Sequence, residues 1–303
     1  MPDSRRQAST RRSLRHENNG MSTEMSTTAG PVREAIERDA IGSRLWFYAN
    51  YHCNLACAYC LTESAPDVAK RVLEPDLMVD LAEQGRSLGF TSIGVTGGEP
   101  FLVPEMPELL IRLSHVLPAV VLSNGTLFSG KRLERMRPLG ERDLRVQISL
   151  DRSEAVANDE MRGPENFRKV VEAIPKLVDL GIGVRIASTL AWVDDEDMAK
   201  LCALHRSLGV PDEDHVVRGV VRRGRALTEG LGEPAGINEL GPELTISADG
   251  AFWSPFGPTV VAGRVDTDLL VSRAVSPLSR PAEALAGLVN GSGYAGPTDD
   301  RFT

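Results

Sequence analysis

Short apolar runs alternate with amphipathic stretches between about residue 45 and residue 226 of the chain. An apolar run of roughly four to eight residues predicts a strand, and apolar residues three or four apart predict a helix that buries one face. The strands predicted in this way are LWFYANYH, TSIGVTGG, AVVLSNG, LRVQISLD, GVRIASTLA and DHVVRGVVRRGR. The predicted helices are EPDLMVDLAEQGRSLG, residues 105–116, residues 131–137, GPENFRKVVEAIPKLVDLG with a kink at Pro175, and DEDMAKLCALHRSLG.

Six strand-then-helix units of this kind predict a parallel sheet covered by helices. Six units are too few to close an eight-stranded barrel. The predicted fold class is therefore α/β, a partial (β/α)6 TIM-like barrel with parallel strands, followed by a small C-terminal α+β cap. We expect the core domain at residues 41–230 and the cap at residues 231–303. Functional side chains should lie on the loops that follow the carboxyl ends of the strands.

The first forty residues differ in composition from the rest of the chain. They contain few large apolar side chains and five early arginines, namely Arg5, Arg6, Arg11, Arg12 and Arg15. A segment of this composition lacks the apolar area to order itself, so residues 1–40 are predicted to form a disordered basic tail. No apolar segment follows the paired arginines, which argues against an export signal.

Charge and cysteine content exclude several functional classes. The net charge of −8 over 303 residues provides no basic field that would attract nucleic acid or anionic lipid. No apolar run in the sequence approaches the length of a membrane span. Four cysteines in a chain of this length do not make a disulfide framework. We therefore expect a cytoplasmic protein with neither a nucleic-acid nor a membrane partner.

Three of the four cysteines lie within eight residues, in the stretch NYHCNLACAYC that follows the first predicted strand. Cys53, Cys57 and Cys60 are spaced closely enough for zinc, but the sequence offers no second Cys or His pair to complete a structural zinc site. A redox thiol pair at Cys57 and Cys60 would lack thioredoxin-like surroundings. In a [4Fe–4S] cluster, three cysteines would leave one iron without a protein ligand. Cys202 lies on the apolar face of a predicted helix and is interpreted as a core residue.

The Cys-x-x-x-Cys-x-x-Cys spacing, with Tyr59 between the last two cysteines, resembles that of the radical S-adenosylmethionine (SAM) enzymes. Further segments resemble motifs of this superfamily and occur in the same order: TGGEP at 96–100, SNGT at 123–126, ISLD at 148–151, MRGPENF at 161–167 and RRGRA at 222–226. The resemblance covers roughly residues 45 to 226. A cysteine triplet followed one unit later by GGEP is a specific combination, whereas each motif alone is a weak signal.

The resemblance implies a mechanism and a set of site residues. A [4Fe–4S] cluster would be held by Cys53, Cys57 and Cys60, and SAM would bind the remaining iron. The reduced cluster would cleave SAM to a 5′-deoxyadenosyl radical that abstracts hydrogen from a substrate, with electrons from a reducing partner such as a flavodoxin or ferredoxin. The implied cofactor-binding residues are Tyr59, Gly97, Gly98, Glu99, Ser123, Asn124, Ser149, Asp151 and Arg185.

Each implied residue has an expected role. Gly97 and Gly98 lack a Cβ and would let the backbone approach SAM closely. Glu99 would accept hydrogen bonds from the methionine ammonium. Arg185 would pair with the SAM carboxylate, and Tyr59 would lie near the adenine. The polar residues that end the third and fourth strands would contact the ribose and carboxylate groups.

The C-terminal stretch ELTISADGAFWSPFG resembles the start of the SPASM or twitch extension of peptide-modifying radical SAM enzymes. Asp249-Gly250 predicts a hairpin turn. The hairpin either caps the barrel mouth, or the resemblance to the extension is superficial. Residues 254–256 replace the cysteine expected there, and no cysteine follows Cys202, so an auxiliary cluster cannot be built from this part of the chain.

This likeness implies that the substrate is a peptide or protein side chain. Two alternatives remain open. One is a radical SAM enzyme of small-molecule cofactor or natural-product biosynthesis, and the other is a non-catalytic iron–sulfur or zinc-binding protein.

Overall fold

The computed structural model describes residues 30–190, 195–235, 241–254 and 256–292. The strands are β1 Arg44–Tyr48, β2 Ser92–Thr96, β3 Ala119–Ser123, β4 Leu144–Ser149, β5 Gly183–Leu190, β6 His215–Gly219, β7 Leu244–Ser247, β8 Gly250–Trp253, β9 Val260–Val261, β10 Arg264–Val265 and β11 Leu270–Ser272. The helices are α1 Pro31–Glu37, α2 Pro75–Leu88, α3 Met106–Val116, α4 Gly130–Met136, α5 Ala155–Arg162, α6 Asn166–Asp179, α7 Asp195–Ser207, α8 Arg225–Thr228 and α9 Ser279–Ser292.

Nine strands form one sheet in the order β11-β8-β7-β1-β2-β3-β4-β5-β6. Strands β1 to β6 are parallel neighbours in chain order. Within the described residues no strand pairing joins β6 back to the other edge, so the sheet stays open. The predicted α/β class with six parallel strands is confirmed. The strands are shorter than predicted, because the polar residues at the ends of the predicted segments lie in loops.

The two faces of the parallel sheet have different environments. Leu45 and Phe47 of β1 belong to the main hydrophobic core, which α2, α3 and α6 cover. Trp46 points to the opposite face, which we call the barrel interior, because successive side chains alternate along a strand. Trp46 is in register with Gly94 of β2, where a Cβ would overlap the indole ring. The β2 glycine therefore makes room for the tryptophan inside the barrel.

Helix α2 begins and ends where its sequence signals predict. Pro75 occupies its first turn, where the missing N–H costs no hydrogen bond. Gly89 ends it with a φ of 109°, a left-handed conformation that favours glycine. Helix α5 was not predicted, because its buried residues are the polar Asn158 and Arg162 and it lacks an apolar stripe. None of the helices in the described ranges combines the length and apolarity needed to cross a lipid bilayer.

The predicted disordered tail is too long at its C-terminal end. Residues 1–29 lie outside the described residues, but Pro31–Glu37 forms α1. This helix buries Val32, Ala35 and Ile36 and packs against α9. The sequence pattern missed it because the helix spans only seven residues and its apolar partner lies at the other end of the chain.

The C-terminal strands extend the sheet. Strands β7 and β8 form the antiparallel hairpin predicted at Asp249-Gly250. Strand β7 also pairs in parallel with β1, with Thr245 opposite Trp46. The hairpin therefore lies beside β1 and does not cross the barrel mouth as a lid would. Its turn reaches the loop after β1, where Asp249 forms an ion pair with Arg71 at 2.7 Å.

A buried histidine pair lies between α7 and the outer face of β6. His205 of α7 is 0% exposed, and neither of its ring nitrogens has a hydrogen-bond partner in the part of the chain that the structure describes. Its ring packs edge-on against His215, with centroids 4.3 Å apart. Burial, reinforced by His215, lowers the pKa of His205 to about 3. The folded chain therefore holds His205 neutral.

We expect the contribution of His205 to the free energy of unfolding to fall as the pH drops below about 6.5, the ordinary histidine pKa. The unfolded chain binds a proton on His205 there while the folded chain does not, so this contribution is complete above pH 6.5 and is lost towards about pH 3. The raised pKa of Glu99 acts in the opposite direction, so the comparison with a His205 variant isolates the histidine. The slope from His205 alone approaches ~1.4 kcal/mol per pH unit. Urea unfolding of the cluster-free chain at a series of pH values measures it. His205→Leu should remove this contribution from the measured slope, and the exposed control His115→Gln should not. An unchanged slope in His205→Leu contradicts the assignment.

Candidate active site

The three clustered cysteines lie on the long loop between β1 and α2, at the carboxyl end of β1. Cys53 is buried, and Cys57 and Cys60 are half-buried. Hydrogen bonds from Cys53 N to Ala65 O at 3.2 Å and from Cys60 N to Cys57 O at 3.1 Å fold the loop back on itself. All four cysteines of the chain are free thiols. The strand-end position predicted for the triplet is confirmed.

The GGE segment after β2 packs directly on the backbone that leads to Cys53. Gly98 N donates to Asn50 O at 2.8 Å, and Glu99 N donates to His52 O at 3.1 Å. A Cβ on Gly97 would overlap the Asn50 side chain, and one on Gly98 would overlap His52 O. The lack of a Cβ on these two glycines therefore lets the GGE segment pack against residues 50–52, which lead into the cysteine loop.

Glu99 joins the loops after β2 and β3 and is 0% exposed. Its carboxylate accepts hydrogen bonds from Phe101 N at 3.1 Å, Ser123 Oγ at 2.9 Å and Asn124 N at 2.8 Å. Burial raises the pKa of Glu99 to about 7, against the opposing effect of these hydrogen bonds. Through Ser123 and Asn124, Glu99 fixes the start of the SNGT loop beside the cysteine loop.

Asn124 connects this loop to the first cysteine. Its Nδ2 donates to Cys53 Sγ at 3.5 Å and to Asn54 Oδ1 at 2.9 Å. The backbone N–H of Leu55 also donates to Cys53 Sγ, at 3.4 Å. Hydrogen bonds to a cysteine sulfur tune the potential of an iron–sulfur cluster. Asn124, which directly follows β3, is therefore placed to influence a cluster through its hydrogen bond to the sulfur of Cys53.

A polar group formed by Tyr59, Asp151 and Arg162 contacts the second cysteine from the other side. Tyr59 Oη donates to Asp151 Oδ2 at 2.5 Å, and Arg162 also contacts both Tyr59 Oη and, at 3.3 Å, Asp151 Oδ2. Cys57 Sγ lies 3.6 Å from Arg162 O. The remaining oxygen, Asp151 Oδ1, accepts from Thr189 N at 2.9 Å. Tyr59 and Asp151, predicted as separate cofactor contacts, are thus brought together around Arg162.

Arg225 clamps the cysteine loop through its carbonyl groups. Nη1 donates to Cys57 O at 2.8 Å, Nη2 to Ser64 O at 3.0 Å, and the backbone N–H to Cys60 O at 2.9 Å. Gly224, with a φ of 56°, lies so close that a Cβ there would overlap Leu61 O. The RRGRA segment after β6 therefore fits against the loop and fixes its path.

The sequence did not assign roles to Arg162, Arg225 and Asn50. Arg162 lies in MRGPENF and Arg225 in RRGRA, two segments that resemble family motifs but whose residues the sequence gives no function. Their contacts join residues more than a hundred positions apart. The signal that could have found them is the presence of an arginine inside each of these two motifs.

One predicted position, Arg185, lies away from the cysteine loop, whereas Ser149 lies at the carboxyl end of its strand. Arg185 is half-buried in the barrel interior, where its charge interacts with those of Arg44, Asp214 and Arg145, near the amino ends of the strands. Ser149 ends β4 on the same face and is half-buried. Cys202, interpreted from the sequence as a core residue, is half-buried on α7, and its Sγ lies 3.8 Å from His215 Nδ1.

The donor set fits an iron–sulfur cluster. Burial, followed by the charge of Glu99, raises the pKa of Cys53 to about 12, and burial raises the pKa of Cys57 while Arg162 opposes it. Coordination to a metal deprotonates such a thiol outright, and thiolates are the ligands of iron–sulfur clusters. In the described ranges no three Cys, His, Asp or Glu side chains are already arranged around a single metal ion.

Arg225→Met should loosen the cluster loop. It removes two charged hydrogen bonds worth roughly 1.5–3 kcal/mol each, so we expect reconstituted protein to lose its visible absorbance to a chelator at least tenfold faster. Arg222→Met is the matched control, because Arg222 donates to Gly232 O in a similar way, at 2.9 Å from Nε, without touching the loop. Equal rates in both variants would contradict the clamp.

An open barrel of parallel strands with three free cysteines on its first loop is the arrangement of an iron–sulfur enzyme of the α/β class. The profile of the Radical SAM superfamily matches residues 49–206, and the chain belongs to this superfamily. The superfamily consists of enzymes that use a [4Fe–4S] cluster and SAM.

Curated relatives match about half of this chain. A probable GTP 3',8-cyclase of Archaeoglobus fulgidus is 30% identical over 151 residues, which are 49% of this chain and 50% of the relative. An AdoMet-dependent heme synthase of Methanosarcina barkeri is 28% identical over 159 residues, 52% of this chain and 45% of the relative. The chain spans about half the length of these relatives.

Solved structures support the fold. The enzyme anSMEcpe with bound AdoMet superposes with a TM-score of 0.59 and 15% identity over 79% of this chain and 80% of its own. Streptococcus suis SuiB bound to its precursor peptide SuiA superposes with a TM-score of 0.54 and 15% identity over 68% of this chain and 46% of its own. At these identities the likeness shows the architecture alone.

Proposed function

We propose that Cys53, Cys57 and Cys60 bind one [4Fe–4S] cluster and that SAM binds the iron without a cysteine ligand. The observation that carries the proposal is the support of one cysteine loop from three directions, by the GGE segment, by Arg162 with Asp151, and by Arg225. When bound, the reduced cluster supplies the electron that cleaves SAM and starts hydrogen abstraction from a substrate.

The chain's own residues position this chemistry. Glu99 orders the SNGT loop through Ser123 and Asn124. Asp151 is oriented by Tyr59 and Arg162, which surround it with donors. With Thr189 N as a third donor, this buried carboxylate keeps its geometry when a cofactor enters, which limits the reorganisation that binding requires. Gly97, Gly98 and Ser149 contribute small groups to the same loop edge.

The first candidate substrate is a peptide or protein side chain. The hairpin around Asp249-Gly250 supports it, because this element carries the likeness to the peptide-modifying branch. One protein of similar fold is bound to a precursor peptide. The second candidate is a small molecule, favoured by the arginines inside the barrel described below and by two curated relatives whose names specify a GTP cyclase and a heme synthase.

The remaining assignments follow from this function. A reducing partner such as a flavodoxin or ferredoxin would supply the electron, and a reducing, cytoplasmic compartment suits the free thiols. We place the core domain at residues 41–230 and add α1 to it. The α+β region is placed at residues 231–303.

The test is anaerobic reconstitution with iron and sulfide, followed by dithionite and SAM. We expect 5′-deoxyadenosine to accumulate only when cluster, reductant and SAM are all present. A fully loaded cluster that leaves SAM intact would refute the proposal. Zinc with sub-stoichiometric iron in protein purified without oxygen would favour the structural alternative.

A further inference from the structure

Four arginines project into the barrel interior from different strands. Arg44 of β1 is in register with Ser92, and Arg145 of β4 is two residues before Gln147, which is in register with Arg185 of β5. Paired residues in a parallel sheet share a face, and alternate residues return to it. Val184 and Ile186 point to the helices and belong to the core. The register therefore places these arginines on the side away from that core.

Arg218 of β6 completes the group. It is in register with Thr189, which lies four residues after Arg185 and so on the same face. The backbone N–H of Thr189 donates to Asp151 at 2.9 Å. Arg218 thus extends the basic surface of the barrel interior towards the loops that carry the candidate active site.

Two of the four arginines have protein partners. Arg145 forms an ion pair with Asp214. Arg44 lies over Trp46, 5.4 Å from the ring centroid, and the indole of Trp46 donates to Glu243. Two acidic side chains, Asp214 and Glu243, therefore offset part of the positive charge of the four arginines.

Arg185 and Arg218 are different. Neither forms an ion pair in the part of the chain described, and Arg218 Nε is buried without a hydrogen-bond partner there. Burial and the charges of Arg185 and Arg44 lower the pKa of Arg218 to about 10, although Glu243 opposes this. A half-buried charge without a partner is costly to keep. Two such charges on one face, close enough to interact, indicate a site whose counter-ion arrives from outside.

We propose that Arg185 and Arg218 bind an oxyanion of the substrate, a phosphate or a carboxylate, inside the barrel. That the anion belongs to the substrate rests on the proposed function. A planar guanidinium binds either group through two parallel hydrogen bonds. The excess of four positive charges over two negative ones suits an anion that carries more than one charge. Arg185 is thereby assigned to substrate rather than to the SAM carboxylate.

Isothermal titration of the reconstituted holoprotein tests this proposal. The probes are sodium pyrophosphate and sodium succinate, each in chloride buffer of matched ionic strength. We expect one of them to bind, with pyrophosphate identifying a phosphate group and succinate a carboxylate. Arg218→Gln and Arg185→Gln should each weaken binding by roughly tenfold or more, the loss of a charged hydrogen bond. Arg168→Gln, on the exposed face of α6, should leave the affinity unchanged.

A second readout separates binding from a structural role. Removing an unpaired charge should leave the melting temperature of ligand-free Arg218→Gln equal to or above that of the wild type, whereas loss of a structural contact would lower it. Failure of both probes to bind, or equal binding to Arg218→Gln, overturns the proposal. Because the titration needs no SAM cleavage, anion binding without 5′-deoxyadenosine would refute the proposed function alone, and cleavage without anion binding would refute this inference alone.

Discussion

Alanine in place of Cys57 should abolish SAM cleavage while the chain remains folded. Cys57 supplies one of three thiolates to the proposed cluster, and its only described side-chain hydrogen bond is the weak one to Arg162 O at 3.6 Å. We expect the reconstituted variant to lack the iron–sulfur absorbance and to form 5′-deoxyadenosine at the background rate. Far-ultraviolet circular dichroism should match the wild type, since the loop contributes little regular structure.

Cys202→Ala is the matched control for this variant. Its thiol contacts His215 behind β6 and lies on a different element from the cysteine loop. We expect full cluster content and normal SAM cleavage. Loss of the cluster in Cys202→Ala would show that Cys202 is a fourth ligand, and the open iron on which the account depends would then not exist.

Replacing Gly98 by alanine should disable the site through packing alone. The added Cβ would overlap His52 O, a backbone atom that cannot rotate away. Overpacking of this kind costs about 1–3 kcal/mol, and here the strain falls on the segment entering Cys53. We expect a lower melting temperature and at least tenfold less cluster per chain after reconstitution, measured by iron analysis.

The control is Gly287→Ala, in α9. A Cβ there meets nothing within 4 Å, and alanine in a helix is more favourable than glycine by about 0.8–1 kcal/mol. This variant should be as stable as the wild type or more so, with normal cluster content. A Gly98→Ala protein that behaves in the same way would mean that the close approach between the GGE segment and residues 50–52 is absent in solution.

Local signals predicted the elements that depend on local physics. The ends of α2 follow from Pro75 and Gly89, and the hairpin follows from Asp249-Gly250. The strand order β1 to β6 agrees with the predicted partial barrel, in which each helix connects a strand to its parallel neighbour. The cysteine loop was placed correctly because its spacing and its position after a strand can both be read from the sequence.

The remaining features depend on contacts between distant parts of the chain. No periodicity indicates that β7 pairs with β1, or that α1 packs against α9. Glu99 could be recognised as part of a motif. Two of the three groups that donate hydrogen bonds to it, Ser123 and Asn124, lie at the end of β3 and could not be assigned to it from the sequence. The face of the sheet on which Arg185 lies depends on the alternation of side chains along β5, and the register with β4 fixes it. Its assignment to SAM therefore could not be tested from the sequence.

The electron paramagnetic resonance spectrum of the dithionite-reduced wild-type protein, recorded with and without SAM, shows whether three cysteines hold one [4Fe–4S] cluster with one iron open to SAM. We expect the signal of one reduced cluster per chain and a clear change in its g values on adding SAM, because a new ligand enters the iron's coordination shell. A fully loaded cluster whose spectrum is identical with and without SAM would contradict the account.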